Sequence, residues 1–338
     1  MFYVAEIDKS KLDLEEYYAF ANKHLFTTME WLEFLQEDSK GDVFFLRISD
    51  ENSLVGYFTG MIVTKYGIRI AGSPFSGWST VYMGFDVIDG INKLDLIPCV
   101  QEYLFKRKKV RLIEIVDRDI SVKDAREAGY CTDVADTLEL DVDKTDDELF
   151  KAFKTDCRNF IRQFERRGAI YERVAPSDEF AEEYYEQLKD VFAKQGLVPT
   201  YGVEKVKRLL HHLTDDETVF CQHILDPETR ESIATSIFLA YNKVFYFWGG
   251  ASYRSGQHYR PNEYMLWRAI THWRDKGYKT FDMVGVRDYK KKFGSYEIQY
   301  AHITIPQYKW IVTLRNLAKK AYFWHLKIKG KKLKGKKS

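Results

Sequence analysis

The residues that decide the fold are 234–294, which read ATSIFLAYNKVFYFWGGASYRSGQHYRPNEYMLWRAITHWRDKGYKTFDMVGVRDYKKKFG. Residues 244–248 are an aromatic and β-branched run closed by Gly249-Gly250, which is typical of a buried strand that ends in a turn. Pro261-Asn262 then opens a helix, because Pro is tolerated in the first helical turn.

The helix that begins at Pro261 has one apolar face. Its apolar residues recur at helical spacing: Met265, Leu266, Ala269, Ile270 and Trp273. Lys276-Gly277 ends this helix, since a cation and a glycine are both favoured at helix C-termini. Residues 280–284 predict a second strand, which is followed by a basic loop that ends at Gly294. The stretch therefore predicts a strand–loop–helix–strand unit.

The composition is that of an ordinary globular protein. The chain has 338 residues, 45% of them hydrophobic, and domains usually hold about 100–200 residues, so two domains are expected. A net charge of +2 with 30% charged residues does not indicate a chain that binds nucleic acid over its whole surface.

The cysteines and the termini predict a cytoplasmic protein. Cys99, Cys131, Cys157 and Cys221 are widely spaced, so neither a metal site nor a disulfide framework is expected. The N-terminus has acidic residues where a signal peptide needs basic and apolar ones. No apolar run reaches the about 18 residues that a membrane span requires.

Both halves of the chain show the same order of elements: a helix, hairpin strands, a further strand, a helix and a strand. This order predicts an α/β protein with two similar domains, residues 1–142 and 143–308. Residues 309–338 form a separate basic tail.

Several short motifs, in this order, resemble the FemABX-like acyltransferases. They are Trp31-Leu32-x-Phe34-Leu35, the helix start Lys154–Arg162, Ala251-Ser252, Pro261-Asn262, Phe281-Asp282-Met283-Val284-Gly285 and Tyr289-Lys290-x-x-Phe293-Gly294. The resemblance covers roughly residues 28–305, and it is most specific where Phe-Asp precedes Lys-x-x-Phe-Gly.

The resemblance implies two tandem GNAT-like domains, each a mixed sheet flanked by helices. It also implies the transfer of an acyl or aminoacyl group to an amine of a cell-envelope precursor, either a peptidoglycan stem peptide or an amino sugar of a surface polysaccharide. The donor is aminoacyl-tRNA, acyl-CoA or an acyl carrier, and no tightly bound cofactor is expected. Two alternatives stay open: an acyl-CoA- or acyl-carrier-dependent N-acyltransferase of capsule or O-antigen biosynthesis, and a non-catalytic binding protein that kept the fold.

Lys290 and Asp282 are the predicted catalytic residues. The resemblance gives Lys290 the role of stabilising the oxyanion that forms when an amine attacks a carbonyl, which a fixed cation in a dry cleft does well. A solvated loop with Lys291 and Lys292 is the alternative. Asp282 lies among apolar residues and needs a partner, so it either orients a cation or an amine or forms a structural ion pair.

A second set of residues is predicted to bind substrate. Arg158 and Arg162 lie four residues apart on one helix face, where guanidinium groups suit phosphates, although a solvated face is the alternative. The loop before the helix at Pro261 contributes further polar residues, and two aromatic residues complete the set: Tyr253, Arg254, His258, Tyr259, Asn262, Phe293 and Trp78. Only a fragment of the Q/R-x-x-G-x-G/A pattern of CoA-binding loops is present in that loop, which argues against plain acetyl-CoA as donor.

The tail is predicted to lie at the inner face of the membrane. In residues 309–338 aromatic and aliphatic residues alternate with basic ones, and the chain ends KIKGKKLKGKKS. Such a segment is attracted to anionic lipids. Contact with tRNA and a solvated tail are the other interpretations.

Overall fold

The structure is a computed structural model, and it describes residues 1–51, 53–75, 78–315 and 317. It has two compact units. One consists of Met1–Asp136 together with the segment that begins at Ile298, and the other is Thr137–Glu297. This division differs from the predicted domain boundaries, which fall after residues 142 and 308.

The elements up to residue 136 belong to the first unit, apart from the last strand, which continues beyond it. They are β1 (Phe2–Ile7), α1 (Leu14–Tyr18), α2 (Met29–Ser39), β2 (Asp42–Asp50), β3 (Ser53–Lys65), β4 (Ile68–Ser73), β5 (Phe85–Val87), α3 (Ile97–Lys106), β6 (Leu112–Asp117), α4 (Val122–Glu127) and β7 (Cys131–Asp141).

The remaining elements follow in chain order. They are α5 (Asp146–Ala152), α6 (Thr155–Arg167), β8 (Ile170–Val174), α7 (Asp178–Lys194), α8 (Val203–His212), β9 (Val219–Leu225), β10 (Ser232–Tyr241), β11 (Val244–Ser252), α9 (Pro261–Asp275), β12 (Thr280–Asp282) and β13 (Tyr296–Pro306).

The first unit is built on a mixed sheet with the strand order β1-β2-β3-β4-β6-β13, and β5 pairs with β3. Among the described strands of this unit, β4 and β6 alone are parallel, and α3 connects them as a crossover helix. The chain returns to this sheet after residue 297, because Ala301–Pro306 of β13 pair with Leu112–Asp117 of β6. Ala301, Ile303 and Ile305 thereby join the core of the first unit.

The second unit has the strand order β7-β12-β11-β10-β9-β8, in which β11 and β12 are parallel and α9 connects them. Helices cover both faces of this sheet. Thr235 of β10 donates a hydrogen bond to Gln187 of α7, whereas the adjacent Ser236 contacts Met265 of α9. Neighbouring strand residues point to opposite faces, so α7 and α9 lie on opposite sides.

The core of the second unit is aromatic. Phe245 and Phe281 are opposite each other in the parallel β11–β12 pair, and their rings stack with centroids 4.4 Å apart. Trp273 of α9 is fully buried beside them. The predicted strand–loop–helix–strand unit is thus confirmed, as is the prediction of an α/β fold.

Candidate active site

The candidate site lies where β11 and β12 of the second unit separate. The two strands pair only over Val244–Tyr246 and Thr280–Asp282, and β11 then continues to Ser252. In the described part of the chain, residues 247–252 of β11 pair with β10 alone. The other edge of this segment therefore presents backbone groups that an extended ligand can pair with.

A β-bulge lies on the same segment. In the β10–β11 pair, Ile237 is opposite Gly249 and Phe238 is opposite Phe247, so Trp248 is the extra residue. Bulges redirect side chains and are frequent beside active sites. Trp248 lies between two tyrosines of the α7 region, because its ring is 6.0 Å from that of Tyr184 and 5.9 Å from that of Tyr201.

After β12 the chain turns sharply. Val284 and Gly285 have φ values of 54° and 80°, and positive φ is strained for a β-branched residue such as Val284. For this reason the strand stops at Asp282, although its sequence predicted a strand as far as residue 284. The turn must therefore be held in place by other residues.

Lys290 holds the turn through its ammonium group. Its Nζ donates to the carbonyl oxygens of Met283, Val284 and Gly285 at 2.5, 2.9 and 3.4 Å. A lysine has three donors, so these three carbonyls account for all of them. The side chain is buried and is not part of the solvated loop that was the alternative interpretation. The oxyanion role remains a prediction.

Burial lowers the pKa of Lys290 to about 8, an effect that the negative charge of Asp282 opposes and the positive charge of Arg287 reinforces. The ring of Phe247 lies 5.3 Å from the Nζ atom and forms part of the apolar surroundings. A lysine with such a depressed pKa is a candidate functional residue, although structural lysines show similar shifts.

Asp282 supports the same turn from the other side. It is fully buried, and its Oδ1 accepts hydrogen bonds from Thr137 Oγ1 at 2.6 Å and from the backbone N–H of Val284 at 2.8 Å. The N–H of Gly285 donates to Thr137 Oγ1 at 3.1 Å. Asp282 therefore acts on Lys290 through the turn and through its charge.

Sequence reasoning missed a buried carboxylate beside Asp282. Glu139 of β7 is directly opposite Asp282 in the antiparallel β7–β12 pair, so both side chains lie on the same face, and both are buried. The alternation of Thr137, Glu139 and Asp141 with apolar residues was the signal that could have identified it.

In the loop between β11 and α9, several backbone amides donate hydrogen bonds to carbonyls of the same loop. Ser255–Tyr259 form a 3-10 helix, and the N–H groups of Gly256, Gln257 and Arg260 donate to carbonyls within the loop. Gly256 packs on Ile233, to which an added Cβ would come within 2.7 Å. A glycine is therefore required at position 256 by the close packing against Ile233. The three amides already have hydrogen-bond partners and are not available to a diphosphate.

The predicted polar residues of this loop are mostly at the surface. Arg254, His258 and Asn262 are exposed, and Tyr253 is half-buried. The Nδ1 of His258 lies 2.7 Å from the carbonyl oxygen of its neighbour Ser255. The hydroxyl of Tyr259 donates to Asp226 at 3.3 Å.

The two predicted arginines of α6 have partners within their own segment. Arg158 donates to the carbonyl of Lys151 and to Thr155 Oγ1, each at 3.2 Å. Arg162 is exposed, with its guanidinium carbon 5.2 Å from the ring centroid of Phe150. They lie on the outer side of α6, whose buried residues are Cys157, Ile161 and Phe164.

The structure assigns a different role to Phe293 from the predicted one. Its side chain is fully buried, and its ring packs edge-on against Phe153 at 5.1 Å, so it belongs to the core. Trp78 belongs to the first unit, is half-buried, and packs against Phe75 at 4.6 Å. Ser76 and Gly77, which precede Trp78 in the sequence, lie outside the described residues.

Two general observations concern the described residues alone. None of their helices is long and apolar enough to cross a lipid bilayer. No group of three or more His, Cys, Asp or Glu side chains among them is arranged to hold a metal ion.

Residues 151–291 match the family model of the acetyltransferase (GNAT) domain. No curated protein matches the chain. Three solved structures are similar in fold. FemX is 15% identical, with 88% of this chain and 97% of that chain covered and a TM-score of 0.70. A C-terminal domain assigned to a lysylphosphatidylglycerol synthetase of Agrobacterium fabrum is 14% identical, with coverages of 84% and 89% and a TM-score of 0.51. A tandem GNAT protein from the clavulanic acid biosynthesis pathway is 10% identical, with coverages of 91% and 99% and a TM-score of 0.52.

At these identities the three structures describe the fold alone. The GNAT match is independent of them and spans α6–α9, β11, β12 and Lys290. It therefore includes the separated strands and the turn at which the candidate site lies. Residues 151–291 therefore match a GNAT acetyltransferase domain, and the chain has the fold of FemX and of the tandem GNAT protein.

Proposed function

We propose that this protein transfers an aminoacyl group from an aminoacyl-tRNA to an amine of a cell-envelope precursor. The acceptor amine attacks the carbonyl carbon of the donor ester directly. A carbon–nitrogen bond forms, the ester carbon–oxygen bond breaks, and the proton lost by the amine leaves with the ribose oxygen. No covalent intermediate on the protein is required.

The observation that carries the choice of donor is the loop between β11 and α9. Three of its amides are bonded to its own carbonyls, and Pro261 removes a further N–H at the start of α9. A CoA diphosphate is bound best by free amides at a helix N-terminus. An aminoacyl ester carries no diphosphate near the reacting carbonyl, so it does not need this cradle.

Lys290 is the proposed oxyanion stabiliser. Its contact with the carbonyl of Gly285, at 3.4 Å, is longer than its other two and longer than an ordinary hydrogen bond. An oxyanion that forms beside the end of β12 is a better acceptor than a neutral carbonyl. The ammonium can therefore exchange this one partner without releasing the turn.

The proposed acceptor rests on the resemblance to FemABX-like proteins and on one relative. That relative is assigned to a synthetase of lysylphosphatidylglycerol, an aminoacylated lipid. A stem-peptide lysine and an amino sugar of a surface polysaccharide are both amines of the required kind.

A second candidate is an acyl-CoA- or acyl-carrier-dependent N-acyltransferase that acts on an amino sugar of capsule or O-antigen. The name of the matching domain, acetyltransferase, favours this candidate. It requires the diphosphate to bind elsewhere than in the loop before α9.

A donor panel separates the two candidates. Purified full-length protein is incubated with charged tRNA, acetyl-CoA or longer acyl-CoAs, each with a lysine-containing stem peptide and with UDP-amino sugars. We expect product from charged tRNA at a rate at least about tenfold above that from any CoA ester. Product from a CoA ester alone would reject the first candidate and support the second. Lys290→Met serves as the control for contaminating activity.

A further inference from the structure

One side of the C-terminal segment of the first unit packs against the rest of that unit. Residues 310–315 are helical. Ile311 is buried, and the Nε of Arg315 lies 2.9 Å from Glu114, a buried carboxylate of β6. His302 of β13 approaches the other oxygen of Glu114 at 3.4 Å. Ile311 and Arg315 are one helical turn apart, so they define the inward side of this segment.

The side of the segment next to this inward side is apolar and exposed. Tyr308, Trp310 and Leu314 are 49%, 58% and 46% exposed. Tyr308 and Trp310 have nearly parallel rings, and the guanidinium of Arg111 lies 5.9 Å from the ring of Tyr308. The spacing of Trp310 and Leu314 continues in the sequence to Leu317. We call Tyr308, Trp310 and Leu314 the apolar C-terminal surface.

The charge of the chain is divided unevenly around this surface. Residues 309–338 contain 11 Lys or Arg and no Asp or Glu. The whole chain has 52 basic and 50 acidic residues, which leaves 41 basic and 50 acidic residues, a net charge of −9, for residues 1–308. The tail is therefore a concentrated positive charge attached to an acidic protein.

We propose that the apolar C-terminal surface, together with the basic residues of the tail, docks this protein on an anionic lipid bilayer. Tyr308 and Trp310 are the residue types that favour the boundary between headgroups and acyl chains. The lysines supply the attraction to anionic headgroups. Because Arg315 and Ile311 fix the segment on the first unit, docking also sets the orientation of that unit on the bilayer.

An RNA partner explains only part of these observations. Lysines alone account for phosphate binding, and such binding needs no aliphatic residue. The exposure of Leu314 beside Trp310 is instead what an amphipathic segment at a lipid surface shows. The surface does not depend on the proposed donor, so its test is separate from the donor panel.

The test is co-sedimentation of the full chain with vesicles of phosphatidylcholine alone or with about 30% phosphatidylglycerol added. We expect binding to the anionic vesicles only, and we expect it to weaken as salt is raised. Trp310→Ser with Leu314→Ser should reduce the binding constant by about tenfold or more. Lys331→Glu with Lys332→Glu and Lys334→Glu should reduce it as well.

Two controls keep the result interpretable. Tyr66→Ser removes a 98% exposed aromatic residue elsewhere on the first unit and should leave binding unchanged. Circular dichroism of each variant should match that of the unchanged protein, since Trp310, Leu314 and Tyr66 are at the surface. Unchanged binding of the Trp310/Leu314 variant, or preferential binding of bulk tRNA over anionic vesicles, would overturn the proposal.

Discussion

Each donor of the Lys290 ammonium is directed at a carbonyl of the turn after β12. The sequence predicted a cation at this position but not its partners. Gly285 in the sequence indicates a turn. The positive φ of Val284 could not be predicted locally, because β-branched residues disfavour positive φ. The geometry therefore depends on tertiary contacts made by Asp282 and Thr137, residues that are 145 positions apart in sequence.

Lys290→Met should lower turnover by about 100- to 1000-fold, the usual effect of removing one oxyanion partner. It should also change the pH profile. Lys290 must carry its proton to stabilise an oxyanion, and its pKa is about 8. Activity of the unchanged protein should thus fall as pH rises through 8, and the variant should lack this fall. Steady-state rates between pH 6 and 10 (an assay window of about four units around this pKa) measure both effects.

Lys291→Met is the matched control, because Lys291 is the exposed neighbour and should leave the profile unchanged. Unfolding does not produce the expected fall. The unfolded chain keeps the ordinary lysine pKa of 10.5 and so binds more protons than the native state between pH 8 and 10.5. Lys290 then makes the free energy of unfolding rise with pH in this range. An unaltered turnover of Lys290→Met would remove its catalytic assignment.

Lys23 of the first unit is also a buried cation, but its expected role is to stabilise the fold by pairing with a buried carboxylate. Its Nζ is 2.8 Å from Asp86 and 3.2 Å from the ring centroid of Tyr17, and both charged side chains are almost fully buried. Lys23→Met leaves the Asp86 charge buried without this partner and should lower the free energy of unfolding by about 3–5 kcal/mol. Urea denaturation measures the loss.

Lys106→Met provides the comparison, since Lys106 pairs with Glu102 at the surface. Its cost should not exceed about 0.5 kcal/mol. Adding Asp86→Leu to Lys23→Met should recover part of the lost stability, because no buried charge then remains from this pair. Equal costs for the buried and the exposed pair would contradict the interpretation.

At the scale of elements, the sequence predicts helices better than strand ends. Both ends of α9 were predicted from Pro261 and Gly277, whose backbone preferences are local. The separation of β11 from β12 was not predictable, because pairing depends on partners that are distant in sequence. Likewise, no sequence motif predicts the internal hydrogen bonds of the loop before α9.

The bulged part of β11 requires Gly249 because α7 lies against its backbone. A Cβ at Gly249 would come within 2.3 Å of the Tyr184 hydroxyl, so Gly249→Ala must displace either Tyr184 or β11. We expect a loss of about 1–3 kcal/mol in the free energy of unfolding, the usual cost of overpacking. Thermal and urea denaturation measure it.

Tyr184→Phe tests the assigned cause of that loss. Removing the hydroxyl also removes its hydrogen bond with Tyr201, so the single variant should be mildly destabilised. In the double variant the added Cβ no longer meets an oxygen. Its loss should therefore be smaller than the sum of the two single losses, and simple additivity would show that the clash lies elsewhere.

At the scale of the whole molecule, the repeated order of elements correctly predicted two α/β units. The sequence did not show that the last strand belongs to the first unit, since chain order alone assigns residues 298–308 to the second. Their apolar alternation indicates a strand but not its partner. Only the pairing of β13 with β6 reveals that the first unit is discontinuous in sequence.

The first unit should therefore fail to fold from residues 1–136 alone. Such a fragment leaves β6 without its β13 neighbour and exposes the core positions that Ala301, Ile303 and Ile305 fill. Fusing residues 298–315 to residue 136 through about 20 Gly/Ser residues, a flexible linker of roughly 25 Å mean span, supplies the missing strand. We expect dispersed amide resonances and a cooperative thermal transition only for the fusion. A third fragment, the fusion with Ile303→Asp, keeps the added length but places a charge in the core, and it should behave like residues 1–136. If residues 1–136 fold cooperatively without the added strand, β13 is not an essential part of the first unit.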